Sequence, residues 1–241
     1  MLPFLVMAVV LVIRPYGLFG SPGSAHGAPP TPEAPLRLMS RQGAWAMAGL
    51  VGAAALLPAA SEGFVLVLAV DLLIATVFAA SLHLMMGVGG MVSFGHAAYY
   101  GLGAYGAAMA VKYLGLSMLP AMLVGPLVAA LGALVFGWFC VRLSGVYLAM
   151  LTLAAAQIVW GVTYQWQGVT GGDDGIVGVW PADWASGDTA YFHLALAIGV
   201  AALVAIRRIA HAPFGYVLRG GRDSEQRTEA IGIDLRLHRW I

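Results

Sequence analysis

The chain has 241 residues, of which 61% are hydrophobic and 10% are charged. Soluble domains carry about 25% charged residues. A chain with so few charges could not cover a water-soluble globule of this size, so lipid is the expected surroundings. The net charge of +1 gives no basis for nucleic-acid binding, and the single cysteine, Cys140, excludes an intramolecular disulfide and a CxxC metal site.

The N-terminal part of the chain divides into an apolar segment and a loop. Residues 1–14 predict a short apolar helix that is brief for a membrane span and lacks the cationic start and cleavage site of a signal peptide. Residues 15–43 are rich in Gly, Pro, Ser and Ala, a composition that cannot bury a core. They therefore predict a flexible cytoplasmic linker.

Apolar stretches of spanning length then follow one another to residue 206. A spanning helix needs about 20 mostly apolar residues, and the candidates are 44–60, 64–86, 91–111, 116–141, 143–164 and 190–206. The chain is thus predicted to be all-α, a polytopic transmembrane helical bundle of about six spans over residues 44–206.

The charges of the loops predict the orientation in the membrane. Residues 165–189 carry four Asp and no Lys or Arg, whereas residues 207–239 carry seven of the chain's 12 Lys and Arg residues. Short loops rich in Lys and Arg stay in the cytoplasm, so the region 207–241 is predicted to be cytoplasmic. Counting back through the spans places every other cationic residue inside except Lys112.

Seven glycines crowd the segment GVGGMVSFGHAAYYGLGAYG that begins at Gly87. Each glycine costs about 1 kcal/mol relative to Ala inside a helix, so the first three predict a broken or re-entrant start of the helix. One interpretation is tight helix packing alone. The other is an unwound backbone that lines a solute path, as broken helices do in transporters, with candidate residues Gly89, Gly90, Ser93 and His96.

Three ionisable residues lie within apolar segments. His83 and His96 are on different segments without a nearby carboxylate or Cys, so polar helix contacts are favoured over metal binding. Asp71 is costly if it faces lipid, and it is expected to face the bundle or to pair with a polar neighbour. A functional role for Asp71 stays open.

The sequence carries no pattern of an enzyme. It contains no GxSxG, no HExxH and no GxxxxGK[ST] phosphate loop. The chain is therefore expected to be no enzyme and to hold no cofactor of its own. If ATP drives its work, a separate subunit must bind the nucleotide.

The strongest local pattern is PFGYVLRGGRDSEQRTEAIGIDLR, residues 213–236. Pro213 and Gly215 mark the end of a helix. From Asp223 onward alternating charges predict a short exposed helix, which Gly232 would end in a left-handed cap. It is either a solvated surface helix or a helix presented to a cytoplasmic partner.

This pattern resembles the coupling loop of the permeases for high-affinity branched-chain amino-acid uptake, which is close to FGRALRAIRENEIAAEALGI. Three further stretches are similar to the same family in the same order, namely LHLMMGVGGMVSFGHAAYYGLGAYGAA (82–108), RLSGVYLAMLTLA (142–154) and TGGDDGI (170–176). The resemblance covers roughly residues 65–235 and is closest to the M-type subunit.

The resemblance implies the permease subunit of an ATP-driven ABC importer that carries branched-chain amino acids across the bacterial inner (plasma) membrane. Permeases for urea or short amides, and a non-ABC secondary transporter, are the alternatives. The implied partners are an H-type permease, two ATPase subunits that bind the ATP, and a periplasmic binding protein. It implies ATPase coupling through Phe214, Gly215, Arg219, Arg222, Glu225, Glu229, Ala230 and Gly232, and contact with the binding protein at Gly171, Gly172 and Asp173.

The chain departs from the family pattern at several positions. His83 stands in place of an asparagine and Thr228 in place of an alanine. Gly220 and Gly221 replace Ala–Ile and are expected to loosen the coupling helix.

Both ends of the chain also depart from the family. Residues 1–38 resemble the C-terminal end of the H-type permease, so they are expected to be a remnant of a neighbouring gene or a genuine fusion. The family continues beyond the coupling loop, so a truncated permease fold is expected, with residues 207–241 as the coupling loop and the start of the next helix.

Overall fold

The computed structural model describes residues 2–14, 39–61 and 63–240. All regular secondary structure in these ranges is helical. The helices are α1 (Leu2–Ile13), α2 (Arg41–Ala55), α3 (Leu57–Ala60), α4 (Gly63–His83), α5 (His96–Leu114), α6 (Met118–Cys140), α7 (Gly145–Gln165), α8 (Gln167–Thr170), α9 (Asp188–His211), α10 (Pro213–Asp223), α11 (Glu225–Ala230) and α12 (Leu235–Trp240). A π-helical turn, Leu84–Val88, follows α4, and a 3-10 turn, Asp183–Ala185, precedes α9.

Four of the helices described are long and apolar enough to cross a membrane, which confirms the all-α polytopic architecture. They are Gly63–Val88, Met118–Cys140, Gly145–Gln165 and Asp188–His211. Their surfaces are apolar as well. On α6, side chains four residues apart are 71%, 63% and 63% exposed at Leu123, Leu127 and Leu131. Four residues is about one helical turn, so these leucines form one stripe suited to lipid.

The two other predicted spans form helices with different bounds. The segment 44–60 divides into α2 of 15 residues and α3 of 4 residues. The segment 91–111 becomes helical only at His96 and continues for 19 residues.

The boundaries of two predicted regions also shift. The linker was placed at 15–43, but α2 begins at Arg41 because the Ser40 side chain caps it, with Oγ accepting a hydrogen bond from the Gly43 N–H at 3.1 Å. Residues 15–38 of that linker lie outside the described residues. Helix α9 was expected to end at residue 206 and instead runs to His211, and cations such as Arg208 are favoured in a helix's last turn.

The chain forms two compact units. The first comprises the described parts of 1–28, 85–180 and 217–241. In it, α1 packs against α7 around a buried cluster of Leu11, Cys140, Leu143, Leu148 and Leu151. Helices α5 and α6 approach closely at small residues, since a Cβ on Gly125 would lie 2.8 Å from the Gly103 carbonyl oxygen.

The second unit comprises the described parts of 29–84 and 181–216, and its centre is the pair α4–α9. Its buried cluster contains Leu66, Val70, Phe192 and Leu196. Asp71 was expected to face the bundle or a polar neighbour, but its side chain lies exposed on α4. The buried positions Leu66 and Val70 fix the inward face of α4, and Asp71 falls outside it.

Candidate functional site

The chain leaves helical geometry between Val88 and His96, directly after the π-helical turn. Gly90 has a φ of +67°, in the left-handed region that favours glycine. The Met91 N–H donates to the Met85 carbonyl at 3.1 Å. The break that the glycine-rich sequence predicts is therefore confirmed, and residues 89–95 are called the helix break below.

The C-terminal side of the helix break is fixed to α7. The Phe94 N–H donates to Thr152 Oγ1 at 3.1 Å, and Thr152 Oγ1 donates to the Ala149 carbonyl at 2.9 Å. A Cβ on Gly95 would overlap the Thr152 carbonyl oxygen, so only glycine allows this approach. Ser93 is 4% exposed and accepts a hydrogen bond from the Gly95 N–H at 3.3 Å. Its hydroxyl thus closes a local turn.

The N-terminal side of the helix break is held by Arg222 of α10. An Nη1–H of Arg222 donates to the Gly87 carbonyl in the π-helical turn. The same guanidinium donates through Nε and Nη2 to Asp223 Oδ1 at 3.0 and 2.8 Å. A Cβ on Gly90 would overlap the Arg222 side-chain stem at Cγ. Terminal helix carbonyls lack intrahelical donors and favour cations, so Arg222 occupies a suitable position.

The coupling segment, residues 213–240, consists of three short helices. Helix α11 begins after Ser224, whose Oγ accepts from the Arg227 N–H at 3.4 Å, and it ends before Gly232 with a φ of +89°. The predicted short helix and its left-handed cap are therefore confirmed. Its exposed residues are Glu225, Gln226, Arg227, Glu229 and Ala230.

The glycines of α10 lie at close packing contacts, and the expectation that they loosen the helix stays a prediction. Helix α10 runs unbroken through both. A Cβ on Gly221 would lie 2.5 Å from Leu235 Cδ2, and one on Gly220 would lie 3.2 Å from Thr228 Oγ1. Leu235 is 0% exposed. The missing side chains let α11 and α12 pack directly on α10.

Helix α12 is tied to its neighbours by two side chains. Arg239 donates to Glu225 Oε1 at 3.2 Å and to the Gly221 carbonyl at 3.4 Å. Trp240 Nε1–H donates to the Leu134 carbonyl of α6 at 3.0 Å. The Trp240 ring also packs edge to face on the Trp138 ring, with 5.4 Å between the ring centroids. The coupling segment is thus one packed body.

The residues implied in ATPase coupling fall into an inner and an outer set. Gly215 is buried, because its Cβ would overlap the Ala210 carbonyl at the corner between α9 and α10. Phe214, Arg219 and Arg222 are partly buried. The exposed set, which is the most available to a partner, is Glu225, Glu229, Ala230 and Gly232.

The residues implied in binding-protein contact form a tight turn after α8. Gly171 and Gly172 have φ of +78° and +61°, and a Cβ on Gly171 would overlap the Gly175 carbonyl. Tyr113 on α5 donates its hydroxyl to the Val169 carbonyl at 2.7 Å and so secures the turn. Gly172 is buried and Asp173 is exposed. The two glycines therefore shape the turn, and Asp173 is the side chain it presents.

A groove of about 340 Å³ lies between α5 and α7. It extends from Phe94 at the helix break to Gly172 in the turn after α8. Its walls are mostly apolar, with polar groups at Tyr105, Gln157, Thr163 and Tyr164. The ring of Trp160 stacks on that of Tyr164, with 5.2 Å between the ring centroids.

Sequence reasoning missed the residues that line this groove. Gln157 was the available signal, since it is a polar side chain within an apolar span. The predicted path residues Gly89, Gly90, Ser93 and His96 belong to the helix break and to the start of α5, beside the groove lining. Among the described residues, no group of three or more His, Cys, Asp or Glu is placed to hold a metal ion.

Comparison with known proteins places the chain in a family. The profile of the family described as branched-chain amino acid transport system / permease component matches residues 63–241. The high-affinity branched-chain amino acid transport system permease protein LivM of Escherichia coli K12 is 33% identical over 95 residues, and its Salmonella typhimurium LT2 counterpart is equally similar. Each alignment covers 39% of this chain and 22% of the relative.

No solved structure matches the chain significantly. The family profile covers most of the chain, and the four long apolar helices agree with it. The chain belongs to the branched-chain amino acid transport permease family and is a multi-pass protein of the bacterial inner membrane.

Proposed function

We propose that this chain is the membrane-spanning permease subunit of an ATP-driven importer of branched-chain amino acids. The observation that carries the proposal is the hydrogen bond from Arg222 of the coupling segment to Gly87 at the helix break. It connects the region available to a cytoplasmic motor with the region beside the α5–α7 groove. Family membership and the two similar branched-chain amino acid transport permeases support the substrate class.

The motor is proposed to consist of two separate ATPase subunits that dock on α11. Its Arg227 and Glu229 are exposed and carry opposite charges, so they can pair with complementary charges on a partner. The positive-inside rule places this surface in the cytoplasm, where ATP is available. The chain then contributes mechanical coupling, and the ATP chemistry belongs to its partners.

The solute is proposed to move along the α5–α7 groove. Its apolar walls suit an aliphatic side chain, and a zwitterion that leaves water needs hydrogen-bonding groups to offset its desolvation. Gln157 and Thr163 in the wall supply such groups. On the outer side, Asp173 is proposed to meet the periplasmic binding protein that delivers the solute.

A companion permease of the H type is proposed to cover α4. Asp71 and His83 are exposed on this helix, together with the small residues Ala75 and Ala79. An aspartate at the centre of a spanning helix costs about 2.5–3.5 kcal/mol in lipid, whereas a polar partner helix would offset that cost. The surface thus favours protein contact over lipid contact.

The proposal is tested by co-purification in detergent. The tagged chain is expressed with the companion permease, ATPase and binding-protein genes from its own genome. We expect this chain to co-purify with the companion permease and the ATPase subunits. The ATP hydrolysis rate of that complex is expected to rise when binding protein and leucine are added. A companion permease and ATPases that assemble fully without this chain would contradict the proposal.

A further inference from the structure

We infer that Arg222 is the positioning residue through which the coupling segment sets the conformation of the helix break. The inference rests on the proposed function and goes beyond it, because it assigns the transmission step to one side chain. The two ends of the helix break are held differently: Arg222 of the coupling segment binds the Gly87 carbonyl at one end, and Thr152 of α7 binds the Phe94 N–H at the other.

The first part of the argument is the contact itself. The Arg222 guanidinium donates to the Gly87 carbonyl and is oriented by Asp223 through two hydrogen bonds of 3.0 and 2.8 Å. Charge-assisted hydrogen bonds are roughly twice as strong as neutral ones. The Arg222 side chain is 23% exposed and that of Asp223 is 38% exposed, so the guanidinium is the better shielded partner of the pair.

The second part is the fit between Arg222 and Gly90. The arginine Cβ and Cγ occupy the space that a Cβ on Gly90 would need. Gly90 also has a φ of +67°, which other residues rarely adopt. The arginine stem and a side chain at position 90 therefore exclude each other.

The third part is the difference between the two ends. Phe94 and Gly95 are fixed on α7, through Thr152 Oγ1 and through direct backbone contact. The Gly87–Gly90 end is held by the Met91 N–H to Met85 carbonyl hydrogen bond of its own turn and by the Arg222 side chain, which can shift without unfolding a helix. A displacement of α10 therefore moves the backbone at Gly87–Gly90, while the end of the helix break that is bound to α7 stays in place.

The fourth part is the stiffness of the coupling segment. Leu235 is fully buried against Gly221, and Arg239 binds both Glu225 and the Gly221 carbonyl. A displacement of α11 is therefore passed to α10 through these contacts. Arg222 lies on α10 one residue after Gly221, at the place where this displacement meets the helix break.

The alternative is that Arg222 only stabilises the end of the π-helical turn. A purely structural role would lower the amount of complex, the transport rate and the ATP hydrolysis rate together. A transmission role would lower the number of leucine molecules transported per ATP hydrolysed. This ratio, measured in proteoliposomes that contain the whole complex, separates the two roles.

The test uses Arg222→Gln and Arg222→Lys, with Arg236→Gln as the control that removes the same charge at an exposed position. We expect Arg222→Gln to lower the transport-to-hydrolysis ratio about tenfold, the equivalent of one lost charged hydrogen bond. Arg222→Lys keeps the charge and the stem and is expected to recover part of the ratio. Arg236→Gln is expected to keep the parent ratio.

A second pair of variants changes the glycine. Gly90→Ala places a Cβ on the arginine stem, whereas Gly115→Ala has the same positive-φ strain with open space around it. We expect only Gly90→Ala to lower the ratio. An unchanged ratio in Arg222→Gln and Gly90→Ala, in a complex that still transports leucine, would overturn the inference and leave the proposed function standing. A parent complex that does not transport would instead count against the proposed function.

Discussion

At the scale of single residues, the site depends on glycines, because a side chain at these positions would overlap a neighbouring segment. Gly95 lets the helix break lie on the Thr152 backbone, and Gly221 lets α10 receive Leu235. In both cases the neighbour is distant in sequence. A glycine that looks destabilising by helix propensity can thus be required by packing.

Gly95→Ala is expected to destabilise the folded protein. The new Cβ would overlap the Thr152 carbonyl oxygen, and a backbone group inside α7 cannot turn away. Overpacking of this kind costs about 1–3 kcal/mol. The measurement is thermal unfolding of the detergent-solubilised complex, with Gly101→Ala as the control because nothing lies within 4 Å of its added Cβ. Equal unfolding temperatures for the two variants would show that the contact is unimportant.

Gly220 and Thr228 are expected to be energetically coupled. Alanine gains about 1 kcal/mol over glycine inside a helix, but at position 220 its Cβ would lie 3.2 Å from Thr228 Oγ1. Gly220→Ala should therefore stabilise the protein more in a Thr228→Ala background than in the parent. A double-mutant cycle on unfolding free energies measures this difference, and strict additivity would refute the coupling.

At the scale of elements, length and apolarity predicted the four long helices, since these properties belong to each segment by itself. The start of α5 at His96 was harder to predict from the sequence. Gly95 and Phe94 are held by Thr152, which lies 58 residues from Phe94 along the chain. The short α11 helix and its Gly232 cap were readable because local charges and a glycine decide them. The α5–α7 groove was missed because a lining position depends on which helices pack together.

At this scale we predict that the exposed face of α11 is the docking surface for the ATPase subunits. Glu229→Lys reverses a charge on that face, and the Glu229 side chain makes no hydrogen bond or ion pair with the other described residues. The substitution is therefore expected to cut ATPase recovery in co-purification about tenfold or more. Asp174→Lys makes the same charge change on the outer loop and should leave recovery unchanged. ATPase recovery equal to the parent in Glu229→Lys would argue against α11 as the docking surface.

At the scale of the whole molecule, the charge asymmetry gives a topology that single cysteines can test. The native Cys140 is buried with 5% exposure, which keeps its background labelling low. An impermeant maleimide added to intact cells is expected to label Asp173→Cys but not Arg227→Cys, and in inside-out vesicles the pattern should reverse. Labelling of both from the same side would contradict the orientation.

The contacts of single residues were less predictable than the long helices. Arg222 was found through the resemblance of the coupling loop, yet its partner Gly87 lies 135 residues away in sequence. Asp71 was expected to face inward because a charge in lipid is costly. Its exposed position on the single chain agrees with the proposed companion permease.

The most direct test of the central claim is leucine uptake into proteoliposomes that contain the complete complex, with ATP enclosed beside the ATPases and binding protein on the opposite side. We expect uptake that requires ATP, binding protein and this chain together, and that is unaffected when proton gradients are collapsed. Uptake that continues without ATP and stops when the proton gradient is removed would show a secondary transporter and contradict the account.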